Sequence, residues 1–194
     1  MKLNSGNSIG LLGGTFDPIH LGHIHLIETL ASKFDQVALI PTGNPWMKPE
    51  APIATAKQRL AMCEAALDDL TDSVQEKVFL VDIEVENKGA SYTFDTLQSL
   101  RAFFPRDKFT LIMGTDAAFS FNKWKRPEDI KKMADILVVK RPGSKESEFK
   151  EFEVAALDIS STQIREELAK SGNSNKVSKS VMAYIKKNGL YAGK

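Results

Sequence analysis

The sequence predicts an α/β protein: one domain (1–194) built on a doubly wound, mostly parallel sheet with helices on both faces. Three observations carry that expectation. Short, near-continuous apolar runs at residues 8–12, 37–40, 109–113 and 136–139 alternate with helix-like segments, the order expected of buried parallel strands joined by crossover helices. No linker or internal repeat divides the 194 residues, a length that one core can hold. Glycines close two of the apolar runs, Gly13-Gly14 and Gly114, at the strand ends where such sheets take their ligands.

The elements follow in order. Residues 8–12 form a buried first strand that stops at Gly13-Gly14. Residues 21–32 place Leu21, Ile24, Leu26, Ile27, Leu30 and Ala31 at helical spacing. A second buried strand at 37–40 ends at Pro41, and a loop containing Pro and Gly runs over 42–53. A helix is expected over 55–67, with Thr55 as its cap. Residues 78–85 alternate Val81, Ile83 and Val85 with Asp82, Glu84 and Glu86, which predicts a strand near an edge of the sheet. A helix over 92–104 precedes the strand at 109–113. Pro127 opens a short helix to Met133, the strand at 136–139 follows, and two closing helices occupy 161–170 and 178–188, the last stopped by Gly189. The polar stretch 144–153 reads as a mobile surface loop. The pattern is Rossmann-like, with ligands outside the carboxyl ends of strands where strand order reverses. If the two glycine-ended strands are neighbours, their glycines flank one crevice and let a backbone approach a ligand closely.

Composition removes several classes of function. Lysine and arginine number 26 against 25 acids, a formal charge of +1, so no nucleic acid is expected as partner. No stretch approaches the ~20 apolar residues of a membrane span, and the first residues lack the apolar run of a signal peptide, so the expected location is the cytoplasm. The single cysteine, Cys63, lies in the apolar pattern RLAMCEAAL and is expected to be a buried, inert thiol. Oligomeric state is left open, a homo-oligomer included.

The chemistry concentrates in Gly13–His23, GGTFDPIHLGH. The loop leads into a helix whose first turn holds His20 and His23, and residues three apart share a helix face. Two imidazoles beside a helix N-terminus and a glycine loop suit a phosphate group. Gly22 between them removes a side chain that would obstruct access. Neither GxxxxGK[ST] nor a GxGxxG after the first strand is present. Zinc is disfavoured, because no cysteine, third distant histidine or HExxH completes a site. His25 faces elsewhere on the helix and is expected to be structural or exposed.

GGTFDPIHLGH resembles the signature loop of the nucleotidyltransferase superfamily, with its HxGH element at His20-Leu21-Gly22-His23. The companion ISSTxxR element is matched by Ile159-Ser160-Ser161-Thr162-Gln163-Ile164-Arg165. SYTFDTL (91–97), LIMGTDAAFSFNKW (111–124), VVKRPG (138–143) and VMAYIKKNGLY (181–191) further resemble bacterial nicotinate-nucleotide adenylyltransferase. The resemblance covers nearly the whole chain. Phosphopantetheine adenylyltransferase shares the HxGH and ISSTxxR motifs, but not the Tyr-Thr segment or the ending Asn-Gly-Leu-Tyr. Two departures stand out. Where the family often has Pro-Pro-His-Lys, this chain has Pro45-Trp46-Met47-Lys48, and the family's GxDS becomes Gly114-Thr115-Asp116-Ala117.

The resemblance implies roles for particular residues. Gly13, Gly14, Thr15 and Phe16 would line the adenine nucleotide, and His20, His23 and Arg165 would hold the triphosphate as the catalytic set. Gly114 and Asp116 would meet the ribose. Ser161 and Thr162 would cap their helix and leave N–H groups and Arg165 aimed at phosphate. Thr93 and Trp124 would hold the pyridine ring of the acceptor, while Lys48 and Arg141 neutralise its phosphates. Asp17 either positions Mg²⁺ or orients the loop through a turn before Pro18. The implied reaction joins AMP from ATP to nicotinate mononucleotide, giving nicotinic acid adenine dinucleotide and pyrophosphate. Mg²⁺ would be carried on ATP oxygens rather than in a protein cage. The alternatives are the same chemistry on nicotinamide mononucleotide or phosphopantetheine, and a non-catalytic nucleotide-binding regulator. A dinucleotide oxidoreductase lacks its glycine fingerprint here. Lys176-Val177-Ser178-Lys179-Ser180 resembles the KMSKS loop of class I aminoacyl-tRNA synthetases, but ISSTxxR already fills that role and no RNA-binding domain follows.

Overall fold

The computed structural model describes residues 6–47, 50–140, 146–154 and 159–193. The strands are β1 (Ser8–Gly14), β2 (Gln36–Pro41), β3 (Val78–Leu80), β4 (Lys108–Gly114), β5 (Asp135–Lys140) and β6 (Lys150–Glu153). They form one sheet in the order β3-β2-β1-β4-β5-β6, and every adjacent pair is parallel. The helices are α1 (Leu21–Ala31), α2 (Ala56–Leu67), α3 (Asp72–Gln75), α4 (Ile83–Glu86), α5 (Thr93–Phe103), α6 (Thr115–Phe119), α7 (Pro127–Met133), α8 (Ser161–Ser171) and α9 (Lys179–Lys187). None is long and apolar enough to cross a membrane.

Alternate strand residues feed two cores. Leu12, Val37, Leu39, Ile112 and Leu137 pack with side chains of α1, α2, α8 and α9. Ile9, Leu11, Ala38, Ile40, Leu111, Met113 and Val138 pack with those of α5, α6 and α7. Both faces of the central strands are therefore covered, which is why β2 and the middle of β1 read as unbroken apolar runs. Each fully buried aliphatic side chain contributes roughly 1.5–3 kcal/mol. Cys63 has no exposed surface, and burial pushes its thiol up, away from the reactive thiolate. Thr55 caps α2 by accepting from the backbone N–H of Gln58 at 3.3 Å, and Gly189 ends the last helix in the left-handed region, φ 59, as expected.

Four expectations are corrected. The strand predicted over 78–85 ends at Leu80, and Ile83–Glu86 is a helical turn instead. The neighbouring strand stops at Pro41, and Val81 N–H makes the last bond to it, 3.0 Å to Leu39 O. Beyond that point Val81 and Val85, four apart, are both buried, so a helical spacing lay inside the period-two pattern. The surface loop expected over 144–153 contains β6, an edge strand paired with β5. Its sequence, KEFE, is charged as edge strands commonly are. Within ISSTxxR the helix cap is Ser160, whose hydroxyl accepts from Gln163 N–H at 3.2 Å, rather than Ser161 or Thr162. His20 is the N-cap of α1 rather than a residue of its first turn. The sequence pattern also missed the short helices α3 and α6.

Candidate functional site

Strand order reverses between β1 and β4, which lie side by side with Leu12 opposite Ile112. A Cβ placed on Gly13 or Gly114 would meet nothing within 4 Å. Both main chains therefore border open space at the carboxyl edge of the sheet. Three connected clefts surround that point. One of about 330 Å³ is lined by Thr15, Phe16, Asp17, His23, residues 50–53, Ser161, Thr162 and Arg165. A second, about 180 Å³, lies between Gly13, His20, Gly22, His23 and His25 on one side and Gly114, Val139, Val154 and Ile159 on the other. The third, about 540 Å³, runs from Gly13, Gly14 and Thr15 past Gly114 and Asp116 to Thr93, Trp124 and Lys125.

The first two clefts meet at His23, whose ring is paired with that of His20. The His20 and His23 rings stack with centroids 3.7 Å apart. His20 N–H donates to His23 Nδ1 at 3.3 Å, an arrangement that assigns the His23 proton to Nε2 and makes that nitrogen the donor. Phe16 packs edge-on against His23 at 5.0 Å. Its ring occupies the space a Cβ on Gly14 would need, 2.6 Å from Phe16 Cζ, so Gly14 makes room for Phe16. Phe16 itself holds φ 50, which costs on the order of 1 kcal/mol for a residue of this kind. The first N–H of α1, on Leu21, is taken by Lys176 O at 2.9 Å, so the helix N-terminus offers a ligand less than the sequence suggested.

ISSTxxR reaches this loop from the far end of the chain. Ser161 Oγ donates to Pro18 O at 3.0 Å, and Arg165 Nη1 donates to Asp17 O at 2.8 Å. Arg165 Nη2 contacts Thr162 Oγ1 at 3.3 Å. The guanidinium is thus steered by two partners while facing the first cleft. Asp17 orients its surroundings. Its carboxylate accepts from Ile53 N–H at 2.9 Å, Ala54 N–H at 3.1 Å and the Tyr191 hydroxyl at 2.7 Å. Burial and the Asp17 carboxylate push the Tyr191 hydroxyl up, so it stays a donor. Of the two roles open to Asp17, these bonds are those of the loop-orienting one.

In the third cleft, Thr93 begins α5, whose N-cap Tyr92 makes no side-chain capping bond. The Trp124 indole packs against Phe121 at 5.4 Å; its Nε1–H is buried and, among the described residues, has no hydrogen-bond partner. The ring thus both borders the cleft and contacts the core. Trp46 packs on Tyr92 at 5.4 Å across the cleft mouth, and Lys125 lies 4.8 Å over the Tyr92 ring. Glu84 also lines this cleft; burial raises its carboxyl, against bonds from Thr96, Ser91 and Gly43 that lower it.

Every predicted site residue among those described lies on one of these clefts; Lys48 and Arg141 lie outside the described residues. His25, expected to face elsewhere, lines the second cleft beside His20. Trp46, Tyr92, Glu84, Arg59 and Tyr191 were missed. Arg59 carried a readable signal: it shares the spacing of Met62, Cys63 and Ala66, the buried face of α2. The KVSKS segment is structural, with Lys176 paired to Glu167 and Ser180 Oγ bonded to Asp69 at 2.8 Å.

A cytidylyltransferase-like family model matches residues 11–167. A probable nicotinate-nucleotide adenylyltransferase of Neisseria meningitidis serogroup B is 34% identical, over 94% of this chain and 98% of its own. One from Shouchella clausii is 37% identical over 84% of each chain. The nicotinic acid mononucleotide adenylyltransferase of Plasmodium falciparum, complexed with NaAD, shares the fold with a TM-score of 0.80. That match has 20% identity and covers 95% of this chain and 97% of that one.

Proposed function

The chain belongs to the cytidylyltransferase-like family and, within it, to the nicotinate-nucleotide adenylyltransferases, and we propose that it joins AMP from ATP to nicotinate mononucleotide as one catalytic unit. The observation that carries the reading is the joining of a histidine–arginine cleft to an aromatic cleft at the β1–β4 switch point. A phosphate-bearing nucleotide and an aromatic mononucleotide would there meet end to end.

The acceptor's 5′-phosphate oxygen attacks the α-phosphorus of ATP in line. The new P–O bond forms as the bond to the β-phosphate oxygen breaks, and pyrophosphate leaves with that electron pair. The nucleophile is already ionised, so no general base is needed, and the protein supplies alignment and charge stabilisation. His20, His23 and Arg165 act on the phosphates. Gly13, Gly14, Thr15, Phe16, Gly114, Asp116, Ser161 and Thr162 surround the adenine nucleotide. Thr93 and Trp124 hold the pyridine ring, with Lys48 and Arg141 on the acceptor's phosphate. ATP enters as its Mg²⁺ complex. The oxygens of Asp17 already accept three hydrogen bonds, and among the described residues no three His, Cys, Asp or Glu side chains converge. Mg²⁺ carried on ATP would take its ligands chiefly from substrate oxygens and water and would offset phosphate charge.

The test is pyrophosphate release from ATP with nicotinate mononucleotide, nicotinamide mononucleotide and phosphopantetheine in turn. The nicotinate acceptor is expected to exceed the amide by roughly one to two decades in kcat/KM, since an amide NH₂ facing backbone donors leaves them unpaired at about 1–3 kcal/mol each. α5 starts at Thr93 without a side-chain cap, so its first N–H groups would be such donors, and a helix N-terminus favours a carboxylate. Equal turnover of the two acceptors overturns this.

Trp124→Ala is expected to weaken acceptor binding with ATP affinity nearly unchanged, by ~0.5–1.5 kcal/mol beyond the lost burial if the rings stack. Calorimetric titration of each substrate separates the two. A large fall in melting temperature with both affinities intact would assign Trp124 to the core alone.

A further inference from the structure

Arg59 is among the most deeply buried side chains, 1% exposed, yet it lines none of the three clefts. It spends its donors on main-chain carbonyls of three separate segments. Nη1 donates to Thr15 O at 2.7 Å and to Thr42 O at 2.6 Å. Nη2 donates to Gly43 O at 2.8 Å, and Nε to Ala54 O at 3.2 Å. Thr15 belongs to the glycine loop at the nucleotide side. Thr42 and Gly43 begin the loop that carries Trp46 and Met47 at the mouth of the acceptor cleft, and Ala54 ends that loop. The Asp17 carboxylate grips the same loop end through the N–H groups of Ile53 and Ala54.

We propose that Arg59 is a positioning residue for adenylyl transfer: its guanidinium clasps the nucleotide loop to both ends of the acceptor loop, so that the two substrates are held in register. This rests on the proposed function, since register matters only if two bound groups must meet. A guanidinium suits the task because its planar fork sets several donors at fixed angles, which one ammonium cannot imitate. The backbone at Gly43 is equally confined. A Cβ there would lie 1.8 Å from Glu84 O, so the loop start is pressed between that carbonyl and Arg59. Burial pulls the Arg59 guanidinium below its ordinary range, and the nearby Asp17 carboxylate offsets part of that.

Arg59→Lys keeps the charge and loses the fork. It is expected to lower kcat by about 10²-fold, because small misplacements of reacting groups cost that much, while both KM values change little. Two results would overturn the proposal: parental kcat in the variant measured well below its melting temperature, whether or not that temperature falls, or a loss confined to one KM. A second measurement needs no variant. Hydrogen exchange of the Gly43, Asn44 and Trp46 amides is followed in the parent chain with a non-hydrolysable ATP analogue alone. Slower exchange there supports a joined loop pair, and unchanged exchange overturns it. Because no acceptor is added, that result stands even if nicotinate mononucleotide proves not to be the substrate. Absence of pyrophosphate release by the parent would instead count against the proposed function.

Discussion

His20→Ala and His23→Ala are each expected to lower kcat by about 10²–10³-fold, the usual cost of removing one preorganised donor from a developing charge. As the acceptor oxygen approaches, negative charge builds on the oxygens around the α-phosphorus. Donors already fixed in place stabilise it without reorganising. The two rings are fixed in this way: they stack at 3.7 Å, and the His20 N–H holds His23 by its Nδ1. Both variants are expected to melt near the parent temperature. Their losses are expected to be non-additive, because both donors serve one charge. A zinc-specific chelator is expected to leave turnover intact, whereas withholding Mg²⁺ abolishes it. Full activity in either alanine variant would remove the histidines from the mechanism and, with them, the reading of the cleft as a phosphate site.

Arg165→Ala is expected to cost at least about 10²-fold in kcat/KM for ATP, since a positioned arginine can supply far more than this in phosphate transfer. Arg165→Lys is expected to recover little of it. The arginine contacts both Asp17 O and Thr162 Oγ1 and still presents a cation to the first cleft, which a point charge on a flexible stem cannot do. Thr162→Val separates the contributions. It leaves the Asp17 contact and removes only the side-chain oxygen near Nη2, so a much smaller loss is expected. Parental kcat/KM in Arg165→Lys would show that the fork geometry is not used, and parental activity in Arg165→Ala would exclude a phosphate role.

Most of the architecture was legible because its signals are local. The apolar runs of β1, β2, β4 and β5 need cover on both faces, and only a layered α/β arrangement provides it. The glycines at 13, 14 and 114 stand at the carboxyl edge of the neighbouring strands β1 and β4, a placement legible because a missing side chain is visible in sequence. The failures also have physical causes. Val81, Ile83 and Val85 satisfy two periods at once, and the end of β2 at Pro41 decided between them. β6 reads as loop because an edge strand is free to be charged. The ISSTxxR cap was misplaced because three adjacent hydroxyls, Ser160, Ser161 and Thr162, are equivalent in sequence. The fold gives the cap to Ser160 and sends Ser161 to Pro18.

By itself the amino-acid sequence determined the sheet class, the helix stops and the presence of the HxGH and ISSTxxR motifs, all properties of a residue and its chain neighbours. Tertiary structure alone decided how those motifs are held. Arg165 is steered by the carbonyl of Asp17, the Asp17 carboxylate takes the hydroxyl of Tyr191 from the end of the chain, and Arg59 binds carbonyls from Thr15, Thr42, Gly43 and Ala54. Every residue carries a backbone carbonyl, so a carbonyl's role as partner leaves no mark on residue type. Only the path of the chain through space reveals which ones meet the arginine.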